Sequence, residues 1–158
     1  MNSEPKNKNE ELTVQAFEFL NGVDLFKGLT DAQLERLAVS AVELSFPVGD
    51  IFKDNDDADG LYIIKAGMVK VTKKAAETSG MEAVLAILKP GNSFGELSLI
   101  DGLPRSANVV AMAPTVCYFL PREAFLLALK ENLEIAFALL PALAAMVRSS
   151  DLWVAQLI

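Results

Sequence analysis

The sequence predicts a mainly β domain with flanking helices. It is an eight-stranded β-barrel or jelly roll (a double-stranded β-helix), with helices in front and a C-terminal lid or dimer helix behind. Three observations carry this expectation. Between Val42 and Leu120 about eight short apolar runs alternate with turn residues, the pattern of a barrel or roll. Before Val42 and after Pro121 the apolar spacing switches to a helical period. The 158 residues fit one domain with a few extra helices, with no internal repeat and no linker to a second one.

Residues 1–9 are polar and rich in Asn, Lys and Glu, and read as a disordered tail; the domain proper is expected over residues 10–158. Leu12, Ala16, Phe19 and Val23 recur at helical spacing, so a first helix is expected over about Glu10–Leu20, ended by Asn21-Gly22 as left-handed-tolerant residues. Thr30 and Gln33 form a capping box that starts a second helix, with Asp31 in its first turn and Leu34, Leu37, Ala38 and Ala41 on its buried stripe. Strands are expected at 42–46, 51–53, 61–65, 68–73, 83–88, 109–111 and 115–120. The punctuation between them is Pro47-Val48-Gly49-Asp50, an acidic turn from Asp54 to Gly60, Gly67, a polar loop from Ala75 to Gly80, and Pro90-Gly91-Asn92. Helical spacing returns over 121–130 through Phe125, Leu126 and Leu129. It continues from Leu133 to Ile158, with a kink expected at Pro141, which lacks a backbone donor.

Composition removes several classes of function. Net charge is −7, with 14 basic residues against 21 acidic ones and no basic cluster beyond Lys73-Lys74. Nucleic acid is therefore not an expected partner. Mean hydropathy is high at +0.32, yet no uninterrupted apolar stretch reaches the roughly 18 residues of a membrane-spanning helix. The start lacks the apolar centre of a signal peptide, so the expected location is cytoplasmic. One cysteine and no histidine exclude a disulfide within the chain, a structural zinc site, an iron–sulfur cluster and histidine-held haem. Cys117 lies in an apolar run and reads as a buried thiol. The acidic run Asp54 to Asp59 lacks the later glutamate of a calcium loop and reads as a charged hairpin tip. No metal ligands and no cofactor are expected.

The segment Phe94 to Ala111 holds the chemistry. It separates two strands where a plain hairpin needs only a few residues. Gly95 lets backbone approach a ligand closely. A short helix starting near Gly95 aims free N–H groups at an anion. Arg105 offers a planar fork of donors matched to phosphate oxygens, with the Ser106 hydroxyl beside it. Glu96 repels phosphate and must face something else, such as a sugar hydroxyl; its charge could also brace Arg105.

The pattern Phe94-Gly95-Glu96-Leu97, then Arg105-Ser106-Ala107, resembles the phosphate-binding cassette of cyclic nucleotide-binding domains. That family includes the catabolite activator protein, regulatory subunits of protein kinase A and cyclic nucleotide-gated channels. The turn at Pro47–Asp50 and the run Asp57 to Val71 resemble further family features, so the likeness covers about residues 25–150. The resemblance implies that Arg105 pairs with the cyclic phosphate and Glu96 accepts from the ribose 2′-hydroxyl. Backbone amides of Gly95, Leu97, Ser106 and Ala107, with the Ser106 hydroxyl, complete the anion cradle. It further implies a C-terminal helix that covers the base, which places Ser150, with Asp151, near it.

The expected function is a sensor or regulatory module for a cyclic mononucleotide, cyclic AMP ahead of cyclic GMP, signalling through movement of its C-terminal helix. Too few residues follow Ser150 for the winged helix-turn-helix of the family's transcription factors, so a module without a DNA-binding domain is expected, with output to a protein partner or its own assembly. The apolar C-terminal helix resembles the family's dimer helix and implies a homodimer. The rivals are a structural or dimerisation module that binds nothing, a sensor of a cyclic dinucleotide, and a phosphodiesterase. The absence of histidine speaks against the last, and an enzyme is not expected.

Overall fold

The computed structural model describes residues 7–53, 56–57, 59–74, 80–105 and 107–157, the last eight of these by backbone alone. In chain order the elements are α1 (Lys8–Asn21), a 3-10 turn (Asp24–Phe26), α2 (Asp31–Ala38), β1 (Val42–Phe46) and β2 (Gly49–Phe52). Then come β3 (Gly60–Ala66), β4 (Val69–Lys74), β5 (Glu82–Leu88), β6 (Ser93–Phe94), α3 (Glu96–Asp101), β7 (Asn108–Ala111) and β8 (Thr115–Pro121). Helices α4 (Arg122–Glu131) and α5 (Leu133–Leu157) close the fold. The strands form two antiparallel four-stranded sheets, in the orders β1-β8-β3-β6 and β2-β7-β4-β5, which make a jelly roll.

The helix starts follow from local chemistry. Asn7 caps α1 by accepting from the Glu10 N–H at 2.8 Å, so that helix begins at Lys8, two residues before the expected start. Thr30 and Gln33 form the expected capping box of α2: the Gln33 N–H donates to the Thr30 hydroxyl and the Thr30 N–H to the Gln33 side chain. The end of α1 differs from expectation. Gly22 has φ −85°, a right-handed value, because the chain turns directly into the 3-10 turn, with Val23 N–H bonded to Leu20 O. α5 runs through Pro141.

β3 sits between two cores, and its alternation feeds both. Leu61 and Ile63 face α1, α2, α4 and the first turns of α5 with Tyr118, Leu120, Phe26 and Phe125. Tyr62 and Ile64 face the roll interior with Val69, Phe94, Val109 and Cys117. A strand covered on both faces reads as the continuous apolar run Leu61-Tyr62-Ile63-Ile64, and all four side chains are buried. Each such side chain contributes about 1.5–3 kcal/mol of burial. Cys117 lies inside the roll, as expected, and burial pushes its thiol up to about 12.

The two-residue strand β6 has no periodicity to read and was absent from the expected strands. It pairs with β3 at Tyr62↔Phe94 and Ile63↔Ser93, and this pairing sets the start of the cassette segment against the roll.

Candidate functional site

Gly95 is the pivot between β6 and α3. It caps α3 at φ 90° and ψ 12°, a left-handed conformation. A Cβ there would lie 2.6 Å from the Gly60 carbonyl oxygen and against the Arg105 guanidinium. Only glycine allows β6, β3 and Arg105 to meet this closely. At the far end of α3, Arg122 of α4 donates from Nε to the Leu99 carbonyl at 3.2 Å and from Nη2 to the Ile100 carbonyl at 3.3 Å. Last-turn carbonyls have no partner within their own helix, so a cation there also suits the helix dipole.

Arg105 is 5% exposed. Its Nη2 donates to the Asp59 carboxylate at 2.7 Å and to the Gly60 carbonyl at 3.0 Å. Its backbone N–H donates to Asp56 O at 2.8 Å, and the Asp56 carboxylate accepts from the Lys53 N–H, which shapes that turn. The guanidinium lies over the Phe52 ring at 4.6 Å and 5.8 Å from the Tyr62 ring centre. Tyr62 donates its hydroxyl to the other Asp59 oxygen at 2.7 Å. Burial and then that hydrogen bond push the Tyr62 phenol well above its usual range, so it stays a donor. The Arg105 Nε is buried and has no hydrogen-bond partner among the described residues.

Glu96, the first residue of α3, accepts a short hydrogen bond from the Ser93 hydroxyl. Burial raises its pKa, the Ser93 hydrogen bond pulls it back, and nearby Asp24 adds to the rise. Glu96 therefore does not brace Arg105 as the sequence suggested. Among the described residues the guanidinium takes Asp59, and the two charged side chains have separate partners.

A cavity of about 300 Å³ opens over this arrangement. Its walls include Gly95, Glu96, Leu97 and Ser98 from the start of α3, Arg105 and Ala107 from the segment after it, and Ser93 and Phe94 from β6. Val71 of β4, Val109 of β7 and Met146 of α5 complete the lining. Five of the expected site residues thus share one cavity: Gly95, Glu96, Leu97, Arg105 and Ala107. Ser106 lies outside the described residues, as do the side chains of Ser150 and Asp151.

Sequence reading missed several residues. Ser93, Val71, Val109 and Met146 carry no local signal. Asp56 and Asp59 were read as part of a charged hairpin tip; their position in an acidic turn was visible, but the partner 46 residues away was not.

The model of the cyclic nucleotide-binding domain family matches residues 45–132, which include every strand but β1 and all of α3. This chain belongs to the cyclic nucleotide-binding domain family. It is 30% identical over 142 residues to the CRP-like cAMP-activated global transcriptional regulator of Mycobacterium tuberculosis, covering 89% of this chain and 62% of that protein. It is 35% identical over 135 residues to the cyclic AMP receptor protein of Thermus thermophilus, covering 84% and 61%. The N-terminal domain of a transcriptional regulator from Streptomyces coelicolor superposes with a TM-score of 0.76 at 32% identity, covering 84% of this chain and 92% of that one. The chain thus spans about three fifths of the length of the curated relatives it matches. No described helix is long and apolar enough to cross a membrane.

Proposed function

We propose that this domain binds a cyclic mononucleotide in the cavity beside Arg105, cyclic AMP in preference to cyclic GMP, and works as a sensor or regulatory module rather than an enzyme. The observation that carries this reading is Arg105 itself: a guanidinium only 5% exposed, on the wall of a cavity, with a buried Nε that has no hydrogen-bond partner among the described residues. Asp59 meets Nη2, but a buried donor left unmet at Nε weakens the fold unless an acceptor joins it. The start of α3 and the αL turn at Gly95 bring backbone N–H groups to the same wall, which favours phosphate. Glu96 serves the ligand's ribose hydroxyl as an acceptor, a role that an ionised carboxylate fills. Leu97, Val71, Val109 and Met146 offer apolar surface for a base. At about 300 Å³ the cavity suits a small ligand. The names of the two bacterial relatives, both cyclic AMP proteins, support adenine first.

The signal passes through α5. Met146 belongs to the cavity wall, so a bound base touches that helix, and a ligand shifts a two-state helix only by contacts that differ between its positions. Ser106 and Ser150 remain proposed contacts, to the phosphate and to the base. Leu133, Phe137, Leu140 and Val147 of α5 are exposed apolar side chains, which supports α5 as the contact of a homodimer.

One observation favours a second reading. Arg105 is already paired with Asp59, as in a roll whose arginine serves only its own fold. Titration with cyclic AMP, cyclic GMP and adenosine separates the two. The sensor reading requires the cyclic nucleotides to bind at least about 100-fold more tightly than adenosine, since charge-assisted contacts to the phosphate contribute about 3 kcal/mol or more. Equal weak binding of all three, or none, supports the structural reading.

A further inference from the structure

We propose that Phe52 is a positioning residue for Arg105, holding its guanidinium over the ring so that the cation is set for an anion before one binds; the ligand part of this rests on the reading above. Phe52 reaches Arg105 because β2 is irregular. The register passes from Asp50↔Val110 to Phe52↔Val109, leaving Ile51 as an extra residue in β2. In a regular strand Ile51 and Phe52 face opposite sides. With the bulge, both pack on the interior cluster. The ring then lies 4.6 Å from the Arg105 guanidinium carbon.

This contact completes a clamp. Asp59 and the Gly60 carbonyl take Nη2, Gly95 closes on the guanidinium from the cap of α3, and the guanidinium carbon lies over the Phe52 ring. An arginine side chain loses considerable rotamer freedom when it is fixed. Fixing it before the ligand arrives removes that loss from binding. An aromatic face is suited to this task. It attracts the cation without occupying any of its N–H donors. Asp59 and Gly60 accept from Nη2 and Phe52 takes no donor, so the buried Nε has no partner among the described residues.

Phe46 of β1 provides the comparison. Its ring meets the same Tyr62 ring, at 6.0 Å, and packs in the same interior cluster. Loss of either ring thins that cluster, but the Phe52 ring alone of the two meets Arg105.

The experiment uses Phe52→Leu, Phe52→Tyr, Phe52→Trp and Phe46→Leu, and follows the Arg105 Nε–Hε resonance by NMR in nucleotide-free protein, then cyclic AMP affinity by calorimetry. In the free wild type the ring current moves Hε away from the position of free arginine. Phe52→Leu removes most of that displacement, leaving the smaller part due to the Tyr62 ring at 5.8 Å; Phe52→Tyr and Phe52→Trp keep it, and Phe46→Leu leaves it in place. Cyclic AMP affinity falls about ten-fold in Phe52→Leu, the order expected for one desolvated cation–π contact. It stays within about two-fold in the Tyr, Trp and Phe46→Leu proteins. An Hε resonance that ignores Phe52→Leu, or an equal affinity loss in Phe52→Leu and Phe46→Leu, overturns the proposal. If the wild type binds no cyclic nucleotide, the functional reading fails, and the resonance in the free protein still decides the role of Phe52.

Discussion

Gly95 and Gly91 have nearly the same positive φ, 90° and 92°, but not the same surroundings. A Cβ on Gly91 meets nothing within 4 Å. A Cβ on Gly95 meets the Gly60 oxygen at 2.6 Å and the Arg105 guanidinium carbon at 3.2 Å. Gly91→Ala therefore carries the backbone penalty alone, about 1–2 kcal/mol. Gly95→Ala carries that plus overpacking against backbone, a further about 1–3 kcal/mol. The entropy that alanine removes from the unfolded chain is common to both and cancels in the difference. Urea denaturation reads that difference directly. With a slope of about 2 kcal/mol per molar, the Gly95→Ala midpoint falls about 1 M below that of Gly91→Ala. The crowding also falls on the guanidinium, so Gly95→Ala weakens cyclic AMP binding by ten-fold or more, while Gly91→Ala stays within about two-fold. Equal midpoints for the two variants would refute the claim that close approach, rather than backbone freedom, is what requires glycine at position 95.

Glu96→Gln separates binding from stability. The folded-state pKa of Glu96 is raised, so its favourable effect is complete below the ordinary glutamate range and is lost as pH rises through the raised value. Above that raised value the ionised carboxylate weakens the fold, so Glu96→Gln raises the thermal midpoint more as pH increases from 4 upward, while lowering cyclic AMP affinity; a Glu96→Gln effect that becomes less favourable as pH rises contradicts the burial argument. Asp59→Ala strips a partner from both Arg105 and Tyr62 and lowers stability by about 1–3 kcal/mol in urea, towards the low end because Asp59 is 44% exposed. No loss would mean that the pair is inert. Arg122→Met frees the Leu99 and Ile100 carbonyls, so it lowers stability by about 1–3 kcal/mol and speeds amide exchange at Gly102, whose N–H bonds to Ser98 O in the same turn. Unchanged exchange there contradicts the capping role.

What the sequence revealed was local. The Thr30/Gln33 capping box and seven of the eight strands lie in signals a few residues long, and the structure has them where expected. The short helix after Gly95 was legible for the same reason: a glycine in a segment too long for a plain hairpin. What stayed hidden depends on distant pairing or on exceptions to period. β6 is two residues long and exists because β3 offers an edge. Gly22 takes a right-handed conformation because the following 3-10 turn, not the glycine, dictates its backbone. The sequence offered Glu96, nine residues away, as a possible brace for Arg105, because charge complementarity says nothing of direction; in the structure Asp59, 46 residues away, comes beside it through the β3–β6 pairing. Phe52 shows no sign of its contact, since a bulge reverses the side that alternation predicts.

Calorimetric titration of nucleotide-free protein with cyclic AMP, beside Arg105→Ala, tests the central claim most directly. Removing a buried charged partner typically costs about 3–5 kcal/mol, two orders of magnitude or more in affinity. The account predicts micromolar or tighter binding by the wild type and at least a 100-fold loss in the variant. Equal affinity of the two folded proteins, or no binding of cyclic AMP or cyclic GMP by the wild type, contradicts it.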